Sequence, residues 1–463
     1  MSFADIDAAC AAFAEEHNVP GLIAGIVQGG QLVHVTAQGL ADIEGARKVG
    51  PDTAFRIASM TKNMTALAVL ALRDQGKLAL DAPIAAYVPQ FTKVPLPTRD
   101  SPPLTLRHLL SHLGGQVYDD PWGDRVLGMT PRELDALMAD GNLFARPPGV
   151  AFEYSNTGYG LIGRVITNVA GMPYQAFIGR TILAPLGMTR TTFDAPAASR
   201  GDYAWPYRRD DGQWSRERIE PDGEVGAMGG LATTVPDYAR YVAFLLGAWP
   251  ARNDPEAGPV RRSSVREMGL FHAPPFAHDP ERSASPSAYG YGLNNTADPL
   301  LGRLLHHAGG LPGYGSHVLM MIDHGVGIMA FGNRTYAPMS TLTGRLAEVV
   351  HPTLPARPPP VASRAVVWAV EAIVMAYNAG RIETAKSVLA VNFLPDMPAR
   401  FRDRELTELK QKLGEGRIEK IDGIHALSGR FTLVCEKGRL AGTVLLSPEP
   451  GAGIQRLTLV AES

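Results

Sequence analysis

Ser59 and Lys62 stand three positions apart in RIASMTKNMTALAVL, the hydroxyl at the opening of a stretch with helical spacing and the amine one turn later. That i, i+3 separation brings both onto one helix face, so a partly desolvated Lys62 could take the proton of Ser59 and make the hydroxyl a nucleophile. An ordinary lysine, with a pKa of roughly 10.4, is protonated at neutral pH; burial or neighbouring positive charge must lower it first. Backbone N–H groups at a helix start can face a reacting carbonyl, so Ser59 could also donate its own amide hydrogen to a developing oxyanion. Ser-x-x-Lys alone is a weak signal, since average composition yields about one in a chain of this length. Two other segments carry chemistry-bearing side chains: FEYSNTGYG holds Tyr154 and Asn156, and LLHHAGGLPGYGSH holds His307, Gly309 and Gly310.

Elements must bring these three segments together. Met60, Met64, Leu67, Ala68, Ala71 and Leu72 recur at helical spacing, and Gly76 supplies the stop. Upstream, a helix over residues 3–17 precedes two β-rich runs, GLIAGIVQGG and QLVHVTAQG, which read as a hairpin turning at Gly29 and Gly30. Residues 100–245 are mainly helical in pattern, with PRELDALMAD, TGYGLIGRVITNVAG and PDYARYVAFLLGAW the clearest segments. A loop-rich stretch, HAPPFAHDPERSASPSA, leads to three strand candidates, LGRLLHHAG, SHVLMMIDH and GVGIMAFGN. An early hairpin and late hairpins separated by helices predict an α+β unit, with one antiparallel sheet built from both ends of residues 1–350, helices covering it and an all-helical subdomain between. The proline-rich HPTLPARPPPVAS, residues 351–363, reads as a stiff linker. Residues 364–463 then form a separate small α+β module, with helices before a meander of GRFTLVCE, GRLAGTVLLSPEP and IQRLTLVAE.

Composition narrows the function classes. Of 463 residues, 45% are hydrophobic and 19% charged, which excludes a disordered or coiled-coil chain. A formal net charge of -2 offers no field for nucleic acid or an anionic membrane. Cys10 and Cys435 fit neither a disulfide framework nor a zinc ribbon. The acidic first twenty residues lack the pattern of an export signal, and AVVWAVEAIVMAY is short and broken by Glu371, so the expectation is a cytoplasmic protein without a membrane span. His108 and His112 have a spacing that can hold zinc, but no third ligand accompanies them. GGLPGYG does not fit a dinucleotide fingerprint, and no G-x-S-x-G elbow occurs. Neither metal nor cofactor is expected.

Ser-x-x-Lys, then Tyr-x-Asn, then His-x-Gly, in that order, resembles the serine β-lactamase and penicillin-binding-protein superfamily, in particular its branch of class C β-lactamases, D,D-peptidases, D-aminopeptidases and family VIII esterases. HLLSHLGG, PLGMTRTTF and MGGLATTVPDYARY are supporting matches, and the resemblance spans about residues 10–350. HLG at His112 also fits His-x-Gly, but motif order selects His307. The resemblance implies that Ser59 is the acylated nucleophile and that Lys62 and Tyr154 jointly handle its proton. It implies that Asn156 fixes the lysine and the substrate's carbonyl side, and that His307 fills the third-motif place. Gly309 would leave room for substrate, and the N–H groups of Ser59 and Gly310 would be the oxyanion donors.

Many β-lactamases place lysine where this chain has His307, whose reference pKa near roughly 6.5 leaves it mostly neutral at neutral pH. Weaker carboxylate recognition follows, favouring small esters or amides over β-lactams. The expected protein is therefore a serine hydrolase working through an acyl-enzyme on a small-molecule substrate. D-aminopeptidase or D,D-peptidase action is one alternative, and a ligand sensor that is acylated with little turnover is another. The tail resembles NTF2-like cones, and either self-association through it or capping of the substrate is expected of it. Arg334 in FGNRT could meet an anionic substrate group, although a surface role is the simpler reading.

Overall fold

The computed structural model describes residues 2–140, 143–194, 201–273, 285–355 and 360–462. The loop expected around HAPPFAHDPERSASPSA falls partly on residues 274–284, and the linker partly on 356–359, both outside the described residues.

The chain divides into two compact units, Met1–Pro355 and Ala356–Ser463. In the first, the helix Phe3–Glu16 leads into β1 (Gly21–Gln28), β2 (Gln31–Asp42) and β3 (Arg47–Lys48). The short β4 (Phe55–Arg56) runs into the Ser59 turn and the helix Thr61–Asp74. Between that helix and the return strands come the helices Pro131–Ala139, Asn156–Ala170 and Val235–Leu246 with loops and two small ribbons: β5 (Tyr207–Asp210) pairs with β6 (Gln213–Arg216), and β7 (Ala232–Thr233) pairs with β4. The return strands are β8 (Ser287–Tyr289), β9 (Asn294–Asp298), β10 (Gly302–Leu311), β11 (Tyr314–Met321) and β12 (Val326–Gly332), followed by the helix Met339–Val350. One eight-stranded antiparallel sheet results, ordered β3-β2-β1-β12-β11-β10-β9-β8, so the N-terminal hairpin closes on the last strand through β1 and β12. The sheet is built from both ends of the unit, as its sequence pattern predicts. The strands β8 and β9 lack the apolar run that would have marked them in the sequence.

Both sheet faces are covered, which explains why β1 and β12 read as continuous apolar runs rather than alternating ones. Leu22, Ala24 and Ile26 join Ile328 and Ala330 in a core shared with the first and last helices of the unit. Ile23 and Val27, with Met329 and Phe331, face the larger core that holds the helix Thr61–Asp74. That helix is buried on all sides over its first twelve residues, although its spacing suggests a single apolar face. Two of its polar groups find partners inside: Asn63 Nδ2 donates to Tyr238 Oη at 3.2 Å, and Thr65 Oγ1 donates to the Ala227 carbonyl at 2.7 Å.

In the second unit, the helices Arg364–Ala379 and Ala399–Leu413 accompany a meander of β13 (Gly416–His425), β14 (Ser428–Cys435), β15 (Gly438–Leu446) and β16 (Ile454–Glu462). Val366, Val370, Ile373 and Tyr377 of the first helix share a core with Phe431, Leu433, Leu440 and Val444 of the sheet. Four strands form where three are legible in the sequence, because the polar run of β13 hides its period.

Candidate active site

The turn that presents Ser59 is made by its neighbour. Ala58 takes a left-handed conformation, φ 48°, so the chain leaves β4, tightens through the 3₁₀ turn Ala58–Met60 and enters the helix Thr61–Asp74 with the serine at the bend. The first hydrogen bond of that turn is Met60 N–H to the Ile57 carbonyl at 3.1 Å, which leaves the Ser59 N–H ahead of it.

Lys62 Nζ lies 3.0 Å from Ser59 Oγ, 2.7 Å from Asn156 Oδ1 and 2.9 Å from the Met228 carbonyl oxygen. These three oxygens satisfy all three protons of an ammonium. Once Lys62 is neutral, it has two protons and a lone pair. The Asn156 and Met228 oxygens accept only, so the lone pair is left for the one neighbour that can donate, the Ser59 hydroxyl. Complete burial pushes the Lys62 pKa down from 10.5 to about 8, against the pull of Asp124, Asp120 and Asp119.

Tyr154 is hydrogen-bonded to Ser59, and its ring centroid lies 4.9 Å from Lys62 Nζ. Desolvation pushes its hydroxyl well above the ordinary tyrosine value, so the resting group is a phenol that can pass a proton but not a standing base. Asn156 is clamped at both ends of its amide, with Oδ1 on Lys62 and Nδ2 donating to Asp120 Oδ1 at 3.2 Å. Its helix, Asn156–Ala170, starts under a double cap. Ser155 Oγ accepts from Gly158 N–H at 3.1 Å, and the Asp119 carboxylate accepts from the N–H groups of Asn156 and Thr157 at 2.6 and 2.7 Å.

His307 sits on β10 with Nδ1 2.5 Å from the Ala308 carbonyl and Nε2 2.9 Å from Tyr289 Oη. A carbonyl only accepts, so Nδ1 carries the proton and Nε2 accepts from the tyrosine. Burial, with the Lys62 charge second, pushes its pKa down to about 3, so the third-motif position carries no cation at neutral pH. Gly310 lies on the wall of the cleft, whereas Gly309 is buried. A Cβ on Gly309 would stand 2.2 Å from the Ile57 carbonyl oxygen, so its missing side chain makes room for the Ser59 turn and not for substrate. Arg334 is engaged elsewhere, donating to the His17 carbonyl at 2.8 Å.

Ser59, Tyr154, His307 and Gly310 therefore line one cleft of about 380 Å3, with Lys62 and Asn156 beneath. A hollow of about 650 Å3 lined by Arg56, Thr192, Phe193 and Asp222 is larger but holds none of the motif residues, so volume does not select the site. Convergence of a hydroxyl, an amine and a phenol does. Among the described residues, no three His, Cys, Asp or Glu side chains gather as metal ligands would. His112 accepts from Ser155 N–H through Nδ1 at 3.1 Å, and its ring lies 4.3 Å from that of Tyr154 at a tilt of 33°, backing the tyrosine segment.

A family model described as Beta-lactamase matches residues 6–351. The chain belongs to the Beta-lactamase family. Esterase EstB of Burkholderia gladioli is 32% identical over 250 residues, 51% of this chain and 62% of EstB. Penicillin-binding protein 4* of Bacillus subtilis is 26% identical over 340 residues, 69% of each chain. The structure of the octameric penicillin-binding protein homologue from Pyrococcus abyssi superposes with a TM-score of 0.66 over 100% of this chain and 99% of that one, at 21% identity, a likeness of fold. The family holds serine hydrolases that include esterases and β-lactamases. No described helix of this member is long and apolar enough to cross a membrane.

Several groups at the site escaped the sequence reading. The Met228 carbonyl lies in MGGLATTVPDYARY, a segment noted only as a family match, and a backbone oxygen has no residue-type signature. Asp119, Asp120 and Asp124 sit between the first two motifs in YDDPWGD, and no periodicity marks them.

Proposed function

We propose that this protein is a serine hydrolase that acts on small esters or amides through a covalent acyl-enzyme at Ser59. The observation that carries this is the environment of Lys62, whose neutral form has a single neighbour able to give it a proton, the Ser59 hydroxyl. In the first half-reaction Ser59 Oγ forms a bond to the substrate carbonyl carbon while its proton passes to Lys62 Nζ. The N–H groups of Ser59 and Gly310 take the charge that develops on the carbonyl oxygen. The bond to the leaving alcohol or amine then breaks, and that group takes the proton from Lys62 by way of Tyr154. Water repeats the sequence on the ester and restores the serine.

Esters are the better substrates in this reading, because the neutral His307 supplies no cation for the carboxylate of a β-lactam or a D,D-peptide. EstB bears the name esterase and supports that choice. The test is intact-mass analysis after a fluorophosphonate probe. The parent gains the probe mass and Ser59→Ala does not; labelling that survives the substitution overturns the assignment.

We also propose that residues 364–463 form the self-association module, which fits an octamer in the Pyrococcus abyssi homologue and the outward Trp368 and Met375 on the helix Arg364–Ala379.

A further inference from the structure

The wall of the Ser59 cleft is aromatic and carries one formal charge. Tyr118, Phe152, Tyr154, Tyr289 and Tyr336 line it together with Asp120, and no lysine or arginine does so among the described residues. Tyr118 and Tyr336 are 57% and 45% exposed, so their rings are open to a ligand at the mouth. Asp120 uses Oδ1 to accept from Asn156, and no hydrogen bond engages its Oδ2 among the described residues. Burial raises the pKa values of Tyr118, Tyr154 and Tyr336, and the Asp120 charge adds to each rise while opposing the fall of Lys62, so that charge reaches across the cleft. The one buried cation on the floor, Lys62, stands against three aspartates, Asp119, Asp120 and Asp124.

A carboxylate facing several π-faces, with no cation on the wall, is the chemistry that holds an ammonium group: the rings attract the cation through their quadrupoles and the carboxylate through its charge. The same wall repels a carboxylate. Asp120 is joined to Asn156, the residue expected on the carbonyl side of the substrate, which places the charge on the acyl portion. We infer that the cleft selects esters or amides whose acyl chain carries a primary or quaternary ammonium group, with Asp120 as the specificity-determining carboxylate and Tyr118 and Tyr336 as the aromatic flanks. This rests on the proposed hydrolase reading and names its substrate class.

The experiment compares kcat/KM for three 4-nitrophenyl esters: the cationic 4-(trimethylammonio)butanoate, its neutral isostere 5,5-dimethylhexanoate, and the anionic hydrogen adipate. In the parent, the cationic ester exceeds the neutral one by about tenfold or more, and the anionic ester is the poorest. The cationic-to-neutral ratio falls toward one in Asp120→Asn, which keeps an oxygen for Asn156. Raising the ionic strength on the parent lowers the same ratio, which tests the charge without any substitution. A ratio near one in the parent, or a ratio that ignores both the substitution and the salt, overturns the inference while Ser59-dependent turnover leaves the hydrolase reading standing. If no ester is turned over and Ser59 takes up no fluorophosphonate, the hydrolase reading fails and this inference with it.

Discussion

Lys62 is held by three oxygens, and the protonation chemistry of the site follows from which of them can donate. Because only the neutral amine can accept the Ser59 proton, the acylation rate constant in free enzyme rises with pH through about 8 and levels off above it. A pH–rate profile of kcat/KM with a neutral ester checks this. Asn156→Ala removes an acceptor from the ammonium, favours the neutral amine and moves the rising limb to lower pH, while Asn156→Asp adds an anion and moves it to higher pH. Movement of either limb the other way would remove Lys62 as the titrating base. Lys62→Ala slows acylation by about 100- to 10,000-fold, the usual worth of a positioned proton acceptor. Ser59, Lys62 and Asn156 were legible as types at a spacing. Their shared hydrogen bonds were not, because the Met228 carbonyl and the clamp from Asp120 come from backbone and from segments without a pattern.

The decisive contacts between elements are those that let β10 press against the Ser59 turn. Gly309→Ala puts a methyl against the Ile57 carbonyl oxygen on the backbone and the Ser316 hydroxyl, at 2.2 and 2.3 Å. It lowers stability by about 1–3 kcal/mol in denaturant unfolding and slows fluorophosphonate labelling together with it. Gly310→Ala meets the ring of Tyr336 first, at 2.7 Å, a side chain and not backbone, and costs less stability. Equal losses from the two substitutions would refute this reading of the strand. Asp119→Ala removes acceptors from two N–H groups at the start of the helix Asn156–Ala170 and costs about 0.5–2 kcal/mol. The long helices and the strands β10 to β12 were readable because apolar period and glycine turns agree there. The strands β8 and β9 were not, since short polar strands hold their place through the ladder to β10 and not through their own pattern.

At the scale of the whole molecule, each unit has its own apolar core, which is the condition for folding alone. A chain ending near residue 360 is expected to fold, to keep Ser59 labelling and to show a monomer mass in light scattering, against a multiple of 49.6 kDa for the full chain. An unchanged oligomer number after truncation would move self-association to the first unit.

Ser59, Tyr154 and His307 are legible in the linear chain because the proposed acyl transfer needs particular functional groups in a particular order, and the apolar periods around them depend only on local geometry. Tertiary packing alone decided that Gly309 serves the backbone of the Ser59 turn, that His307 is neutral with Nδ1 protonated, and that one aspartate stands among the rings of the cleft. Those outcomes depend on burial and on which oxygen meets which proton, and both are set by segments far apart in the chain.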